Sequence, residues 1–351
     1  MLKQMSSRSK TSAGRAAEAA GGGELALIQH IRSRADGFVG GGVRLGIGDD
    51  CAILKARAGE EIVVTTDLSL EGRHFRRDWH PAAAVGHRAL ARGLSDIAAM
   101  GARPVAAFLS LALPAAVAKN ARWVDGFLDG LLALAKLHRV PLAGGDTSEA
   151  PGDAVIADIV LLGAAPAGRA LRRSGARVGD GLYCTGALGG AAAELAALAA
   201  KPRKFAGAKA DGAHPHLFPE PRLAVGQALL RRKIATACVD MSDGLSTDLA
   251  HLCEASGVAA EIDAGSLPVH PLAEKLSAEG RMNAVLHGGE DYELLFTARA
   301  STRVPRSIGG VAVTRIGRIV SPRGRAQVTL IDAEGSQTAL DRRGWEHFRE
   351  A

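Results

Sequence analysis

The acidic residues of this sequence stand in unusual company. Gly48-Asp49-Asp50, Thr65-Thr66-Asp67, Ser95-Asp96, Gly144-Gly145-Asp146, Asp240-Met241-Ser242-Asp243-Gly244 and Gly288-Gly289-Glu290-Asp291 place acids beside glycines or at the ends of apolar runs, not on polar helix faces. Glycine permits tight turns and close backbone approach, so an acid there can reach a shared site instead of bulk water. One such motif alone is ordinarily a turn; six together, each flanked by apolar runs, would need six separate coincidences. Converging carboxylates repel one another and call for cations between them. Oxygen donors with no Cys or His cluster select hard metals, Mg²⁺ above all. Several Mg²⁺ ions beside glycine-rich backbone suit a polyphosphate, because metals bridge phosphate oxygens and bare N–H groups cradle them. The expectation is a metal–nucleotide site.

The familiar nucleotide motifs are missing. There is no Gly-Lys-Ser/Thr of a Walker A loop and no protein-kinase His-Arg-Asp or Asp-Phe-Gly. Gly46-Ile47-Gly48 does not complete a dinucleotide fingerprint.

Something must position these acids, and the chain is long enough to do it. Its 351 residues are 47% hydrophobic and 23% charged, which excludes global disorder. That length suggests about two domains, each with a core that needs no metal or disulfide staple. The longest uncharged stretch, Pro104 to Ala118, is too short for a membrane span and carries two prolines. Residues 1–23 read as a flexible basic leader without the apolar core of a signal peptide. Cys51, Cys184, Cys238 and Cys253 are scattered with no metal-binding spacing, so a reducing cytoplasm is expected. The net charge of +6 is mild, and the Arg-rich pieces Leu171–Arg177 and Val320–Arg325 lack interleaved aromatics. Neither nucleic acid nor a membrane is an expected partner; an anionic small substrate is.

Hydrophobic periodicity places the elements. Glu24–Arg34 reads as a short helix and Glu61–Thr66 as a strand with Asp67 at its tip. A helix should follow Pro81 and run to about Met100, and another should run from about Asn120 to His138 with a Trp123, Phe127, Leu131, Leu134 core stripe. Val105–Leu113 and Ala154–Leu162 read as buried strands, and Ala164–Gly168 as the domain boundary. Beyond it, Gly181–Thr185, Thr236–Val239, Glu293–Thr297 and Val311–Ile319 read as strands, and Ser242 as the cap of a helix to about Glu254. Lys201–Pro221 is a basic loop to which the sequence assigns no role. Each half mixes strands and helices, as in α/β or α+β domains.

The segments GIGDDCAI, VVTTDLSLEGRHF, LSDIAAMGARP, SLALP, LAGGDTS, LRRSGARVGD, VDMSDGLSTDL and HGGEDYELLFT occur in the order seen in the thiamine-monophosphate kinases, a branch of the aminoimidazole ribonucleotide synthetase superfamily. The chain resembles that family from about Glu24 to Gly344-Trp345-Glu346-His347-Phe348, leaving only the leader outside. LSDIAAMGA and GGDT are shared across the superfamily, whereas EGRHF and GGEDYELLFT point to the thiamine branch.

The resemblance implies an α/β (α+β) two-domain fold of mixed sheets packed with helices. It implies an N-terminal metal- and ATP-binding domain over 24–165 that forms a homodimer interface, and a C-terminal α/β domain over 166–351. It implies transfer of the ATP γ-phosphoryl group to thiamine monophosphate, with several Mg²⁺ ions and no phospho-enzyme. Carried over position by position, Asp49, Thr65, Thr66, Asp67, Asp96, Asp146, Asp240 and Asp243 resemble the metal ligands, with Asp50 a helper. Asp96, Asp146 and Asp243 resemble the acids closest to the chemistry. Gly145, Asp146, Arg173 and Ser242 resemble ATP contacts. His74, Glu290 and Trp345 resemble substrate contacts, where an aromatic face would suit a cationic thiazolium.

Each residue also has a bland reading. His74 could be a core histidine, Trp345 a tail anchor and Arg173 a solvated cation. Cys51 stands where the family usually has alanine and reads as a small apolar filler. Two alternatives remain. One is another ATP-dependent enzyme of the superfamily, against which stand the Cys-free Gly37–Gly48 loop and the C-terminus Phe348-Arg349-Glu350-Ala351. The other is a Mg-nucleotide-binding regulator without turnover.

Overall fold

Parallel strands need a long crossover between them, antiparallel ones only a turn, and this chain uses both. The computed structural model describes residues 23–35, 42–45, 47, 53–322 and 327–344. Asp49, Asp50, Cys51, Trp345 and the leader through residue 22 lie outside the described residues. The first half runs α1 (Gly23–Ala35), β1 (Val43–Leu45), β2 (Ile53–Leu54), β3 (Glu60–Leu70), α2 (Ala82–Ala99), β4 (Arg103–Leu113), α3 (Ala115–Ala118), α4 (Ala121–Leu137), β5 (Leu142–Glu149) and β6 (Ile156–Pro166). The second runs β7 (Gly181–Thr185), α5 (Gly190–Ala200), α6 (Leu223–Arg231), β8 (Ala237–Asp240), α7 (Leu245–Ser256), β9 (Ala259–Asp263), α8 (Ala278–His287), β10 (Leu294–Ala298), β11 (Ser307–Ile308), β12 (Val311–Val320), β13 (Val328–Ile331) and β14 (Gln337–Ala339).

Two main sheets result. The first has the order β3-β6-β4-β5. Only β4 and β5 are parallel, and α3 and α4 make the crossover between them. The second has the order β14-β13-β9-β12-β7-β10-β8, with β11 added to β12, and among its pairs only β13–β9 is parallel. The mixed two-sheet architecture with packing helices is the expected one.

Helix α2 lies between the sheets. It packs on β3 and β6 of the first, on β8 of the second, and on α4 and α6. Its residues are therefore buried nearly all round, as befits a helix with neighbours on every side. One continuous core joins Leu90, Leu94 and Ile97 of α2 to Leu109 and Ile159 of the first sheet and Phe296 of the second. A second core under the other face of the larger sheet gathers Leu182, Leu249, Ile262 and Leu295. The α2–α4 crossing depends on two glycines. A Cβ on Gly86 would lie 1.9 Å from the Phe127 carbonyl oxygen, and one on Gly130 1.8 Å from that of Ala83. The Trp123 stripe is core, with Trp123 stacked on Phe127 at 5.6 Å and Leu131 and Leu134 buried.

Three local expectations are corrected. Strand β3 does not stop before Asp67, because Asp67 to Leu70 continue the ladder with Ile159 to Ile156. Strand β6 runs on to Pro166, through part of the stretch read as a linker. Helix α7 is not capped by Ser242: Gly244 holds the cap position, and the Asp248 carboxylate accepts the N–H groups of Asp243 and Gly244 at 3.1 and 3.0 Å.

Candidate active site

Strand periodicity decides which side chains of β3 can meet. Thr65 and Asp67 turn toward α2, while Ile62, Val64, Thr66 and Leu68 alternate onto the exposed outer face. On α2, Arg88, Arg92 and Asp96 recur every four residues and so share one helix face. That face opens on a cleft of about 450 Å³. Asp67, Asp96, Asp240 and Asp243 line it together with the Ser242 and Gly289 turns, and His74 and Glu290 line its other part.

The acids at one end hold one another in tension. The Thr65 hydroxyl donates to Asp96 Oδ2. Ser95 Oγ donates to Asp240 Oδ2 at 2.8 Å, joining α2 to the end of β8. Arg92 Nη2 lies 3.7 Å from Asp67 Oδ1. The buried Asp67 Oδ2 has no hydrogen-bond partner. Burial, and after it the charge of Asp96, pushes the Asp67 carboxyl up to about 6. The same two causes raise Asp240. Asp96 is raised by burial, against the opposing pull of Thr65 and the charges of Arg173 and Arg92. Three neighbouring carboxyls are raised in this way, so ionising them together is costly unless a cation joins them.

The donor chemistry fits a hard divalent cation: oxygen only, with an unpartnered buried oxygen on Asp67. Among the described residues no three acidic, His or Cys side chains are already closed around a point that would hold a metal. Thr65 and Ser95 instead occupy one oxygen each of Asp96 and Asp240.

The other end is organised by Arg88. This buried guanidinium donates through Nη2 to Glu290 Oε1 at 2.5 Å and to the His74 carbonyl at 3.1 Å. Glu290 sits at φ +69° in the turn before β10. A Cβ on the preceding Gly289 would lie 2.6 Å from the Ser242 carbonyl oxygen, so glycine alone lets the two turns close on each other. Burial raises Glu290, but Arg88 and His216 outweigh it and hold the carboxyl well below the ordinary range. Trp79, Ala192 and Leu195 form the less polar wall nearby, and the Arg76 guanidinium lies 4.6 Å from the Trp79 ring centre.

Of the acids and contacts expected from sequence, the fold gathers Thr65, Asp67, Asp96, Asp240, Ser242, Asp243, His74 and Glu290 about one cleft. It does not bring Thr66, Gly145 and Asp146 there. Thr66 is exposed on the outer face of β3. Asp146 is exposed on β5 and pairs with Ser110, which pairs with Asp158, which pairs with Leu68. Directly paired residues share a face, so Asp146 stands on the same outer face as Leu68 and Thr66. Arg173 is exposed on the segment before β7, and its charge reaches Asp96 and Asp240 without its lining the cleft. Asp49 and Trp345 lie outside the described residues.

Sequence reading missed Arg88, Arg92, His80 and His216, and named Ser95 only as the neighbour of Asp96. The first two had a signal, the four-residue spacing from Asp96 inside an apolar helix. His80 and His216 had none, because nothing local to either says that they meet.

Comparisons with known proteins bear on this geometry. Residues 48–165 match the family described as AIR synthase related protein, N-terminal domain, and residues 177–328 match its C-terminal domain. The thiamine-monophosphate kinase of Salmonella typhimurium is 38% identical over 317 residues, 87% of this chain and 92% of that protein. The thiamine-monophosphate kinase of Bacillus subtilis is 32% identical over 320 residues, 88% of this chain and 94% of that one. The crystal structure of thiamine-monophosphate kinase from Stenotrophomonas maltophilia K279a superposes with a TM-score of 0.76 at 39% identity, covering 88% of this chain and 96% of that one. The structure of AaThiL complexed with AMPPCP and TMP superposes at 0.70 and 30% identity, covering 93% and 97%. The hydrogenase maturation protein HypE of E. coli shares the fold at a TM-score of 0.71 and 18% identity.

Proposed function

The chain belongs to the thiamine-monophosphate kinase branch of the AIR synthase related proteins, and from that membership we propose how its own residues perform the ATP-dependent phosphorylation of thiamine monophosphate to thiamine diphosphate. One observation carries the proposal: a single cleft has crowded acids with raised carboxyls at one end and a fixed Arg88–Glu290 pair with an aromatic and aliphatic wall at the other. A triphosphate belongs at the acidic end and the phosphorylated acceptor at the other.

The acceptor is an ionised phosphate oxygen at neutral pH, so the site needs no strong base. Its task is to bring two anions together in line. Asp67, Asp96, Asp240 and Asp243, with the Thr65 hydroxyl beside them, are the side chains that would hold Mg²⁺. When bound, Mg²⁺ neutralises phosphate oxygens in the transition state. Arg92 keeps Asp67 in place by an ion pair at 3.7 Å. Ser95 does the same for Asp240 by its hydrogen bond. Arg173 adds positive potential near the acids from outside the cleft. The Ser242 backbone, locked to Glu290 by the Glu290 N–H donating to its carbonyl at 2.8 Å, couples the two ends of the site. His74 and Glu290 face the acceptor. Trp345 and Asp49 lie outside the described residues and keep only the acceptor-contact and metal-ligand roles that the resemblance implies.

The outer face of the first sheet, with Ile62 at 41%, Val64 at 61% and Leu68 at 45% exposure, supports the reading that two copies associate there. Within one chain, Thr66 and Asp146 belong to that face and take no part in the cleft, whereas Gly145 is in register with Asp67 through Leu109 and Ile159 and so lies on the opposite face without lining the cleft. None of the described helices is long and apolar enough to cross a membrane, which agrees with a cytoplasmic kinase.

A coupled assay of ADP release tests the whole reading. ADP should form only when thiamine monophosphate and Mg²⁺ are both present. Tight Mg-ATP binding without turnover would mean a regulator, and ADP release indifferent to thiamine monophosphate would mean another acceptor.

A further inference from the structure

The basic 201–221 segment has a built connection to the acceptor end of the cleft. Glu194, on α5 and only 2% exposed, receives the N–H groups of His216 and Leu217 at 2.7 and 3.3 Å, and His214 Nδ1 lies 2.5 Å from its other oxygen. His87 on α2 fastens the same segment at the Pro219 carbonyl, 2.8 Å away. Held in this way, His216 is buried to 1% exposure with Nδ1 3.1 Å from Glu290 Oε2 and Nε2 3.0 Å from His80 Nε2.

The protons on this chain follow from the carboxylate. His216 Nδ1 stands between Glu290 Oε2 at 3.1 Å and Arg88 Nη1 at 3.2 Å, and an ionised Glu290, which only accepts, draws the His216 proton to Nδ1. Its Nε2 meets His80 Nε2 at 3.0 Å. His80 Nδ1 in turn stands 3.2 Å from the Arg76 backbone N and 3.1 Å from the Arg76 carbonyl oxygen. Both Glu290 oxygens are thereby held, Oε1 by Arg88 and Oε2 by His216. A carboxylate on a loop with two fixed donors from two different elements has one orientation, and neither donor is free to leave.

We propose that His216 is a positioning residue for acceptor binding: with His80 behind it, it fixes the Glu290 carboxylate in the orientation that receives the phosphorylated acceptor, and this is the role of the 201–221 segment. The inference rests on Glu290 facing the acceptor. It predicts a selective defect. His216→Leu, close in volume but with no donor, should raise KM for thiamine monophosphate about 10- to 100-fold, the range for losing a hydrogen bond to a charged group. KM for ATP and kcat should change less than about threefold on the same reasoning, since the acidic end is untouched. His216→Asn, whose amide nitrogen can stand where Nδ1–H stood, should recover most of the loss. On a Glu290→Gln background His216→Leu should add little, as expected for two residues that act as one.

The outcomes separate. If Glu290→Gln leaves KM for thiamine monophosphate unchanged, the placement of Glu290 at the acceptor fails. If Glu290→Gln raises it and His216→Leu does not, the positioning role fails. The role also fails if His216→Leu and His216→Asn are equally impaired, or if KM for ATP rises in parallel. His87→Asn, which loosens the segment at Pro219 without touching Glu290, controls for anchoring: an equal rise in acceptor KM there overturns the proposal.

Discussion

Ser95 Oγ donates to Asp240 Oδ2 at 2.8 Å, across the seam where α2 of one half meets β8 of the other. The hydroxyl is fully buried and the carboxyl nearly so. This one contact ties the acidic end of the cleft to the relative position of the two sheets, because the donor and the acceptor belong to different halves.

Ser95→Ala should therefore loosen Asp240 without unfolding the protein. Removing a hydrogen bond to a buried charged group costs about 1.5–3 kcal/mol. The expected readouts are a lower melting temperature and a higher Mg²⁺ concentration for half-maximal ADP release. An unchanged Mg²⁺ dependence would show that Asp240 needs no orienting.

Asp96→Asn should reduce kcat by about 100-fold or more, on the scale set by loss of a preorganised electrostatic group. The same change removes a charge that raises the carboxyls of both Asp67 and Asp240. The metal-free variant should consequently melt at a higher temperature than the metal-free parent. A variant less stable than the parent, or one with parental turnover, would remove Asp96 from the centre of the acid group.

Stability should fall as the pH of the metal-free protein rises from about 6.5 to 8. A carboxyl whose folded pKa is raised keeps its proton better folded than unfolded, so its contribution is complete at low pH and is lost as the pH climbs through the folded value. Asp67, at about 6, and Asp240, at about 7, work in this sense. His80, lowered to about 3 from 6.5 chiefly by burial, works in the opposite sense, but its contribution is lost only as pH falls below about 6.5. Melting curves at pH 6.5 and 8 test the sign. Mg²⁺ should raise the melting temperature more at pH 8 than at pH 5.5, because at the lower pH it must displace protons. An equal Mg²⁺ shift at both values would mean that the acids do not gather around it.

Gly130→Ala should destabilise the fold by at least about 1–3 kcal/mol, the range for an overpacked interior. The obstacle is the Ala83 backbone, at 1.8 Å from the added Cβ, and backbone cannot rotate away. Since α2 bears Arg88, Arg92 and Asp96, the variant should also lose activity as α2 is displaced. Chemical denaturation beside the ADP-release assay would detect both effects. Unchanged stability would show that α4 can shift without consequence.

Much of this protein was legible residue by residue. Apolar spacing identifies α2, α4, β4 and β12 close to their observed limits, because a period of 3.6 or 2 is a local property of the chain. The ordered motifs led to the family and to most of the acids. Which of those acids share a cleft was decided in three dimensions. Thr65, Thr66 and Asp67 are neighbours in sequence, yet the pleat of β3 sends Thr66 to the outer face with Asp146 and leaves the other two beside Asp96. His80 and His216 lie 136 residues apart, and no local pattern announces their contact. Only packing brings Glu194, His216 and Glu290 together, because buried polar groups must find their partners wherever the folded chain leaves them.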